Sequence, residues 1–557
     1  MEQSLGAEER TMTDHYLIGL DYGSESARGV LIDLRTGRLA GSHSHAYRHG
    51  IMSAALPGGV ALPGGIRLPG GVALPPFWAL QDADDYTEAA EAILSALGRG
   101  KAVGSIGLGF TASSPLPARA DGTPLSRLHP ERPHAYVKLW KHAAAQPWAD
   151  RISARGGPFL DECGGRLSSN SLTAKAAELA EEAPDLWAEA DRFIEAGDWL
   201  VWQLCGRECR SLAFATFKAQ YRAETGYPRG LVPGLDGKLA PAVPVGTPAG
   251  TLSAAWRART GILGAAKVAV AVIDSHAVMP AVGAVEPGTL VGALGTSAVF
   301  LLLDDGVRPL PPGIEGAARD ATLPGLRCFE AGQAGFGDTL AWFVREFPRG
   351  DGMSESFARY GEAAARLVPG ETGLVALDWF NGCRVPCGDA LLSGIIAGLT
   401  LQSTGAHIYR TLLEALCFGA RTIADLLMSG GAPVDRIILT SGLSLSNPLL
   451  MQLMADVLGR DVEVPREEHL TAVGAAIHGA VAAGSVADYA EGARRFGSVD
   501  HRVYRPDPGS AGAYAALCEV YRTLGRDGAN RDALHALAGL KRRSSSSSSL
   551  PGERRGR

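Results

Sequence analysis

No apolar run in the chain reaches the roughly 18 residues that a membrane-crossing helix requires. The segment Met1 to Asp14 is polar and acidic and lacks an apolar stretch, so no secretion signal is expected and 1–14 reads as a loose leader. Cysteine is sparse, with 8 in 557 residues, too few to staple a disulfide scaffold. Cys205/Cys209 and Cys383/Cys387 lack the tighter spacing and partner histidines of a metal knuckle, so free thiols in a reducing, cytoplasmic setting are expected. A strong charge of either sign is also missing: 53 basic against 59 acidic side chains give −6, with no basic field for nucleic acid or anionic membrane. Neither a GxxxxGK[ST] loop nor an HExxH or GxSxG pattern occurs; Gly100-Lys101 is followed by alanine.

Glycine is plentiful, 71 of 557, which calls for many tight turns or close backbone approaches. At roughly 150 residues per domain the length suggests two to four domains. A Leu-Pro-Gly-Gly hexad repeats three times within 56–76, too few copies for a solenoid, and reads as an expanded surface loop. The serine- and arginine-rich end, 541–557, has almost nothing apolar to bury and is expected to be disordered.

Between these segments strand and helix patterns alternate, which predicts an α/β architecture. Tyr16–Leu20 and Ala27–Leu34 read as strands around a Gly23-Ser24 turn. The arrangement recurs with Thr289–Leu294 and Ala298–Leu303 around Gly295-Thr296-Ser297, so two domains on one plan are expected, divided near Val285–Gly288. A helix is predicted over Ile408–Met428, stopped by Gly430-Gly431, then a strand Arg436–Thr440 and a Ser441-Gly442 turn. Asn447 and Pro448 are the N-cap and first residue of a following helix.

Three places could carry chemistry. In Asp21-Tyr22-Gly23-Ser24-Glu25-Ser26 a glycine turn with hydroxyls could cradle phosphate oxygens, and Asp21 at a strand end could hold Mg²⁺ through water; a plain polar hairpin is the alternative. Gly295-Thr296-Ser297 has the same logic. Lys267–Ile273 reads as a buried parallel strand ending in Asp274-Ser275-His276, where a carboxylate could take a proton from a substrate hydroxyl or simply cap the next helix. His276 is a competing base that reads more simply as packing. Gly107-Leu108-Gly109-Phe110-Thr111-Ala112 matches the dinucleotide pattern GxGxxA, but Pro115 and Pro117 forbid the helix that this motif must open.

With Arg28 added, these motifs together resemble the FGGY carbohydrate kinases. The likeness is supported by Phe110-Thr111-Ala112, Val137–His142, Asp198-Trp199, Phe329–Gln333, Gly337-Asp338, Ala341–Phe343 and Leu377–Gly382. Within that family the chain is most similar to members that act on ribulose. The resemblance implies an α/β, two-domain actin/hexokinase-like (ribonuclease H-like) fold with an interdomain cleft. The N-terminal domain, 15–286, would bind sugar and phosphate, and the C-terminal domain, 287–540, would bind ATP. It further implies ATP and Mg²⁺ as cosubstrate and cofactor, and a small pentulose phosphorylated at its terminal 5-hydroxyl. Asp274 would be the catalytic base and Asp21 the residue near the metal. Ala112, Lys218, Asp274 and Glu330 would line the sugar pocket. Gly23, Ser24, Ser26, Arg28, Gly295, Thr296, Ser297, Ser441, Gly442 and Asn447 would serve ATP and its phosphates, with the helix start Ala472–Ala476 beside the adenine and ribose. Lobe closure would exclude water. No nucleic-acid or membrane partner is expected, and homodimerisation stays open.

The chain departs from the family pattern in three places. Gly109 stands where an aspartate is usual, Ser441 replaces the first glycine of a paired-glycine turn, and Asn170-Ser171 replaces a Glu-Trp pair. Alternatives are a kinase of xylulose, ribitol or glycerol, or a catalytically weak sugar-binding paralogue.

Overall fold

The computed structural model describes residues 15–57 and 71–547, with backbone alone for 542–547. The leader 1–14, the centre of the Pro-Gly-Gly loop (58–70) and residues 548–557 lie outside the described residues. Two compact units emerge. Unit 1 holds residues up to Val285 with Ala317–Cys328 and Glu467–Val499; unit 2 holds Glu286–Gly316, Phe329–Arg466 and the chain from Asp500.

Unit 1 is built on a seven-stranded sheet. Its strands are β1 (Tyr16–Tyr22), β2 (Ser26–Asp33), β3 (Leu39–Ala46), β4 (Val103–Phe110), β5 (Pro248–Thr251), β6 (Lys267–Ala269) and β7 (Val272–Ile273). The order is β5-β6-β4-β1-β2-β3, with β7 also paired to β4. β1, β2 and β3 form an antiparallel meander, while β4 runs parallel to β1 on one side and to β6 and β7 on the other. The expected continuous strand Lys267–Ile273 is thus broken into β6 and β7. β4 is buried along its whole length, as a central parallel strand must be.

Helix α1 (Ala83–Gly98) covers this sheet with Ala83, Tyr86, Ala90, Ile93 and Leu97, spaced three and four apart. Asp82 starts it by accepting from the Asp84 amide at 3.0 Å. Three further helices of the unit are α2 (Leu172–Glu182), α3 (Leu212–Ala219) and α4 (Asp274–Ala281).

In unit 2, β8 (Thr289–Leu294) and β9 (Ala298–Asp304) form a hairpin, and β11 (Arg436–Thr440) runs parallel to β8. With β10 (Arg327–Gln333), β12 (Val462–Pro465) and β13 (His501–Tyr504) the order is β10-β9-β8-β11-β12-β13. Each unit therefore pairs an antiparallel hairpin with a parallel strand against the hairpin's first member. Helix α5 (Gly405–Ser429) starts three residues before the sequence suggests, because Thr404 caps it by accepting from the His407 amide. Of the six apolar residues that give this helix its sequence pattern, Leu412, Leu413, Leu416, Ile423 and Leu427 are buried, while Leu426 is only half-buried.

Helix α6 (Leu470–Ala483) corrects the single C-terminal domain drawn over 287–540, because it belongs to unit 1. A methyl group on Gly19 of β1 would lie 1.8 Å from the Ala472 carbonyl oxygen, and one on Gly107 of β4 would lie 1.8 Å from that of Ala475. On its other side, a methyl on Gly474 would meet the Ala277 carbonyl of α4 at 1.7 Å. Glycine at these three points lets α6 lie against sheet and helix at backbone distance. This accounts for the GxGxxA pattern: Gly107 admits a helix rather than a pyrophosphate. The small residues Ala472, Ala475 and Ala476 are wholly buried by that packing, so they are not available to face adenine and ribose as the resemblance implied.

The C-terminal helix Gly528–Ser547 extends through residues 541–547, where disorder was expected.

Candidate functional site

In unit 1 the site residues gather at the C-terminal ends of β1, β4 and β7. Register places Asp21 of β1 opposite Gly109 of β4, and Gly109 opposite Val272 of β7. Two residues beyond Val272, Asp274 is the first residue of α4, and Ile273 rather than Asp274 occupies the cap position. The Asp274 carboxylate accepts from the Ser275 amide at 2.8 Å. Burial lifts the Asp21 carboxyl to about 7, the nearby Asp274 charge adds to the rise, and Arg28 opposes it. Arg28 is the register partner of Asp21 on β2, its guanidinium 3.8 Å from the carboxylate.

The turn after β1 is fixed from three sides. Its own closure is the Gly23 amide donating to the Ser26 carbonyl at 3.1 Å. The Tyr47 hydroxyl donates to the Gly23 carbonyl at 3.0 Å, and the Gln81 amide to the Ser24 carbonyl at 2.5 Å. The indole of Trp140 donates to Ser24 Oγ at 2.9 Å. Tyr22, buried and stacked on Phe110 at 4.9 Å, ties the ends of β1 and β4 together.

After β4 the chain turns through Thr111–Ser114, which carries Ala112. The Thr111 amide donates to the Tyr22 carbonyl at 3.1 Å, and the Ser114 amide to Glu195 at 2.7 Å. Ser113 sits at φ +62°, a left-handed conformation uncommon outside glycine. Lys218 lies on α3, which packs against β7, and its charge is felt by both Glu195 and Lys175. His276 is fully buried, bonded to Thr322 at 2.6 Å and edge-on to Phe217, as a packing histidine would be. Ala112, Lys218, Asp21 and Asp274 therefore share one neighbourhood of unit 1.

Glu330 belongs to unit 2, within β10, and is buried. Its charge is felt by Arg384, whose guanidinium makes a two-pronged pair with Glu315 at 2.7 and 2.8 Å.

Unit 2 brings the two other glycine turns together. The Gly295–Ser297 turn follows β8 and the Ser441-Gly442 turn follows β11, its parallel neighbour; Ser441 Oγ donates to the Leu294 carbonyl. The Phe336 and Gly337 amides donate to the Thr296 and Gly295 carbonyls at 2.9 and 3.0 Å, tying down the turn. Ser441 has φ +118° and ψ 174°, a conformation suited to glycine. Asn447 caps Pro448–Leu458, accepting from the Leu450 amide at 3.0 Å.

Sequence reasoning did not single out the buried charges behind the unit 1 site. Lys138 and Glu178 pair at 3.0 Å, and His142 reaches Glu178 at 2.8 Å; all three side chains are wholly buried. Burial alone would raise Glu178, but Lys138 and His142 outweigh it and hold the carboxyl at about 2. Lys175 is buried just as completely and donates to four oxygens. Its only sequence signal was a lysine on the apolar face of α2. Among the described residues no cluster of three or more His, Cys, Asp or Glu side chains could hold a metal by itself. Two neighbouring carboxylates suit Mg²⁺, which usually keeps waters and substrate phosphates as its other ligands.

Residues 290–483 match the family model described as the FGGY family of carbohydrate kinases, C-terminal domain. A ribulokinase of Geobacillus thermodenitrificans is 39% identical over 547 residues, covering 92% of this chain and 94% of that protein. One of Halalkalibacterium halodurans is 38% identical over 566 residues, covering 95% and 98%. Among solved structures, the xylulose kinase of Rhodospirillum rubrum superimposes with a TM-score of 0.78 at 21% identity, covering 94% of this chain and 100% of that one. Such a likeness carries the fold, two α/β domains of the actin/hexokinase type. Among the described residues no helix is long and apolar enough to cross a membrane.

Proposed function

The chain belongs to the FGGY family of carbohydrate kinases, and from that premise we propose that it transfers the terminal phosphoryl group of ATP to the 5-hydroxyl of ribulose, with Asp274 as general base. That it is a sugar kinase, acting with ATP on a pentulose, follows from its ribulokinase relatives. The observation that carries the finer reading is the pair of carboxylates flanking Gly109, close enough for one to raise the pKa of the other.

Asp274 accepts the hydroxyl proton, the sugar oxygen bonds to the terminal phosphorus, and the bond to the bridging oxygen breaks to release ADP. The Ser275 amide orients the base. Asp21 would hold Mg²⁺, which neutralises charge on the phosphates when bound. Lys218 and Glu330 offer a donor and an acceptor to the uncharged sugar, with Ala112 leaving room for its carbon chain. The Gly23–Ser26 turn with Arg28, the Gly295–Ser297 turn and the Ser441-Gly442 turn serve the nucleotide phosphates, and Asn447 supports the last of these as a helix cap. The enzyme acts in the cytoplasm.

ADP release measured over D- and L-ribulose, xylulose, ribitol and glycerol tests this reading. Turnover is expected to be highest with a ribulose and to stop on chelation of Mg²⁺. Asp274→Asn should lose about 10²–10⁴-fold in kcat with sugar affinity little changed. Absence of turnover with either ribulose, or near-normal kcat in Asp274→Asn, would refute it.

A further inference from the structure

Lys175 lies on the buried face of α2, with no exposed surface. A buried ammonium is costly unless every proton is satisfied, and this one has more acceptors than protons. Its Nζ donates to the Ser113 carbonyl at 2.6 Å, Ser113 Oγ at 2.8 Å, the Leu139 carbonyl at 2.9 Å and the Lys138 carbonyl at 3.2 Å. These acceptors come from two segments that both reach the site. Ser113 follows Ala112 in the loop after β4 and holds a left-handed backbone. Leu139 precedes Trp140, whose indole holds Ser24 in the turn after β1. The charged groups around the ammonium are Glu195, Glu178, Lys138 and Lys218. Glu195 binds the same loop through the Ser114 amide.

We propose that Lys175 is a positioning residue that fixes the Ala112 loop and the Gly23–Ser26 turn relative to one another, so that sugar and phosphate are presented in register. The inference rests on the kinase reading above. It assigns Lys175 no contact with substrate: the residue acts through Ser113 on the sugar side and through Leu139 and Trp140 on the phosphate side. The ammonium also compensates for the unfavourable left-handed backbone at Ser113, since both the carbonyl and the hydroxyl of that residue are its acceptors.

The test is steady-state kinetics on the full chain. Lys175→Met keeps most of the side-chain volume and removes the charge and the donors. Its KM for ribulose should rise at least tenfold and its kcat should fall, while the Kd for ADP rises by a clearly smaller factor, because of the turns assigned to the phosphates only Gly23–Ser26 is disturbed and those of unit 2 are untouched. Rates are expressed per folded molecule, with the folded fraction taken from thermal unfolding. Ser113→Ala removes one of the four acceptors and should raise the sugar KM about threefold. Wild-type ribulose KM and kcat in folded Lys175→Met, whatever its Tm, would overturn the inference, as would an equal loss of ADP affinity. Should Lys175→Met fail to fold, Ser113→Ala decides: an unchanged sugar KM overturns the proposal and a raised one supports it. A wild-type enzyme that phosphorylates no pentulose would instead sink the kinase reading on which both variants are judged.

Discussion

Asp21 and Asp274 stand on either side of Gly109, one as its register partner on β1 and the other two residues past its partner on β7. The single position between them carries no side chain, and the two carboxylates are left to repel each other.

Asp21 should make the metal-free protein less stable as pH rises. Its carboxyl titrates near 7 when folded, because of burial and then Asp274, against about 4 when unfolded. Between those values the native state binds more protons than the unfolded chain, so the stabilising contribution is complete below about 4 and is lost as pH climbs through 7. Asp21→Asn should therefore stabilise the fold more at pH 8 than at pH 5, by at most about 3 kcal/mol at roughly 1.4 per pKa unit over the two units from 5 to 7, seen as a larger rise in Tm at pH 8. An equal shift at both values would show that Asp21 is not so perturbed.

Placing a carboxylate at Gly109 should be costly for two separable reasons. A Cβ there would lie 3.3 Å from both the Ala277 Cβ on α4 and the Thr471 Cγ2 on α6, tighter than ordinary contact. Overpacking of this kind costs about 1–3 kcal/mol, and Gly109→Ala should show it equally at pH 5 and pH 8. Gly109→Asp adds a third negative charge and should lose further Tm at pH 8. Parallel melts of the two variants separate the terms.

The glycines that admit α6 should tolerate nothing larger. Gly107→Ala puts a carbon 1.8 Å from a backbone oxygen, and that oxygen cannot yield without moving the helix. Little soluble, cooperatively melting protein is expected from it. Gly361 lies inside the helix Met353–Ala365 with nothing within 4 Å of an added Cβ. Gly361→Ala should raise stability by about 0.5–1 kcal/mol. Expression yield and denaturant melts check both.

Ser441→Gly should stabilise unit 2 slightly and improve nucleotide binding. A serine at φ +118°, ψ 174° costs about 1–3 kcal/mol. Its hydroxyl bond to the Leu294 carbonyl returns only about 1. Tm should rise, and the KM for ATP should fall about twofold or more with the sugar KM unchanged. A lower Tm would mean that the hydroxyl bond outweighs the backbone strain.

Much of this molecule is local chemistry. The hairpins around Gly23 and Gly295, the strand Arg436–Thr440, the cap at Asn447 and the body of α5 were all legible, because hydrophobic period and capping preference act within a few residues. The rejection of a dinucleotide loop at Gly107 was likewise available, since Pro115 and Pro117 forbid a helix whatever surrounds them. The destination of α6 was not legible. Its run of alanines and glycines fits a nucleotide-facing helix as well as a helix pressed into a sheet, and the choice depends on Gly19, Gly107 and Gly474, which are distant in sequence or mute as to partner.

The sequence alone determined the family, the placement of Asp21 and Asp274 at strand ends, and the glycine turns after β1, β8 and β11, since each is written in contiguous residues. Tertiary structure alone decided that Lys175 on α2 would hold the loop after β4 and the segment before Trp140, and that Glu178 would be claimed by Lys138 and His142. A buried charge is stable only where several separate segments converge to satisfy it, and no local pattern encodes that convergence.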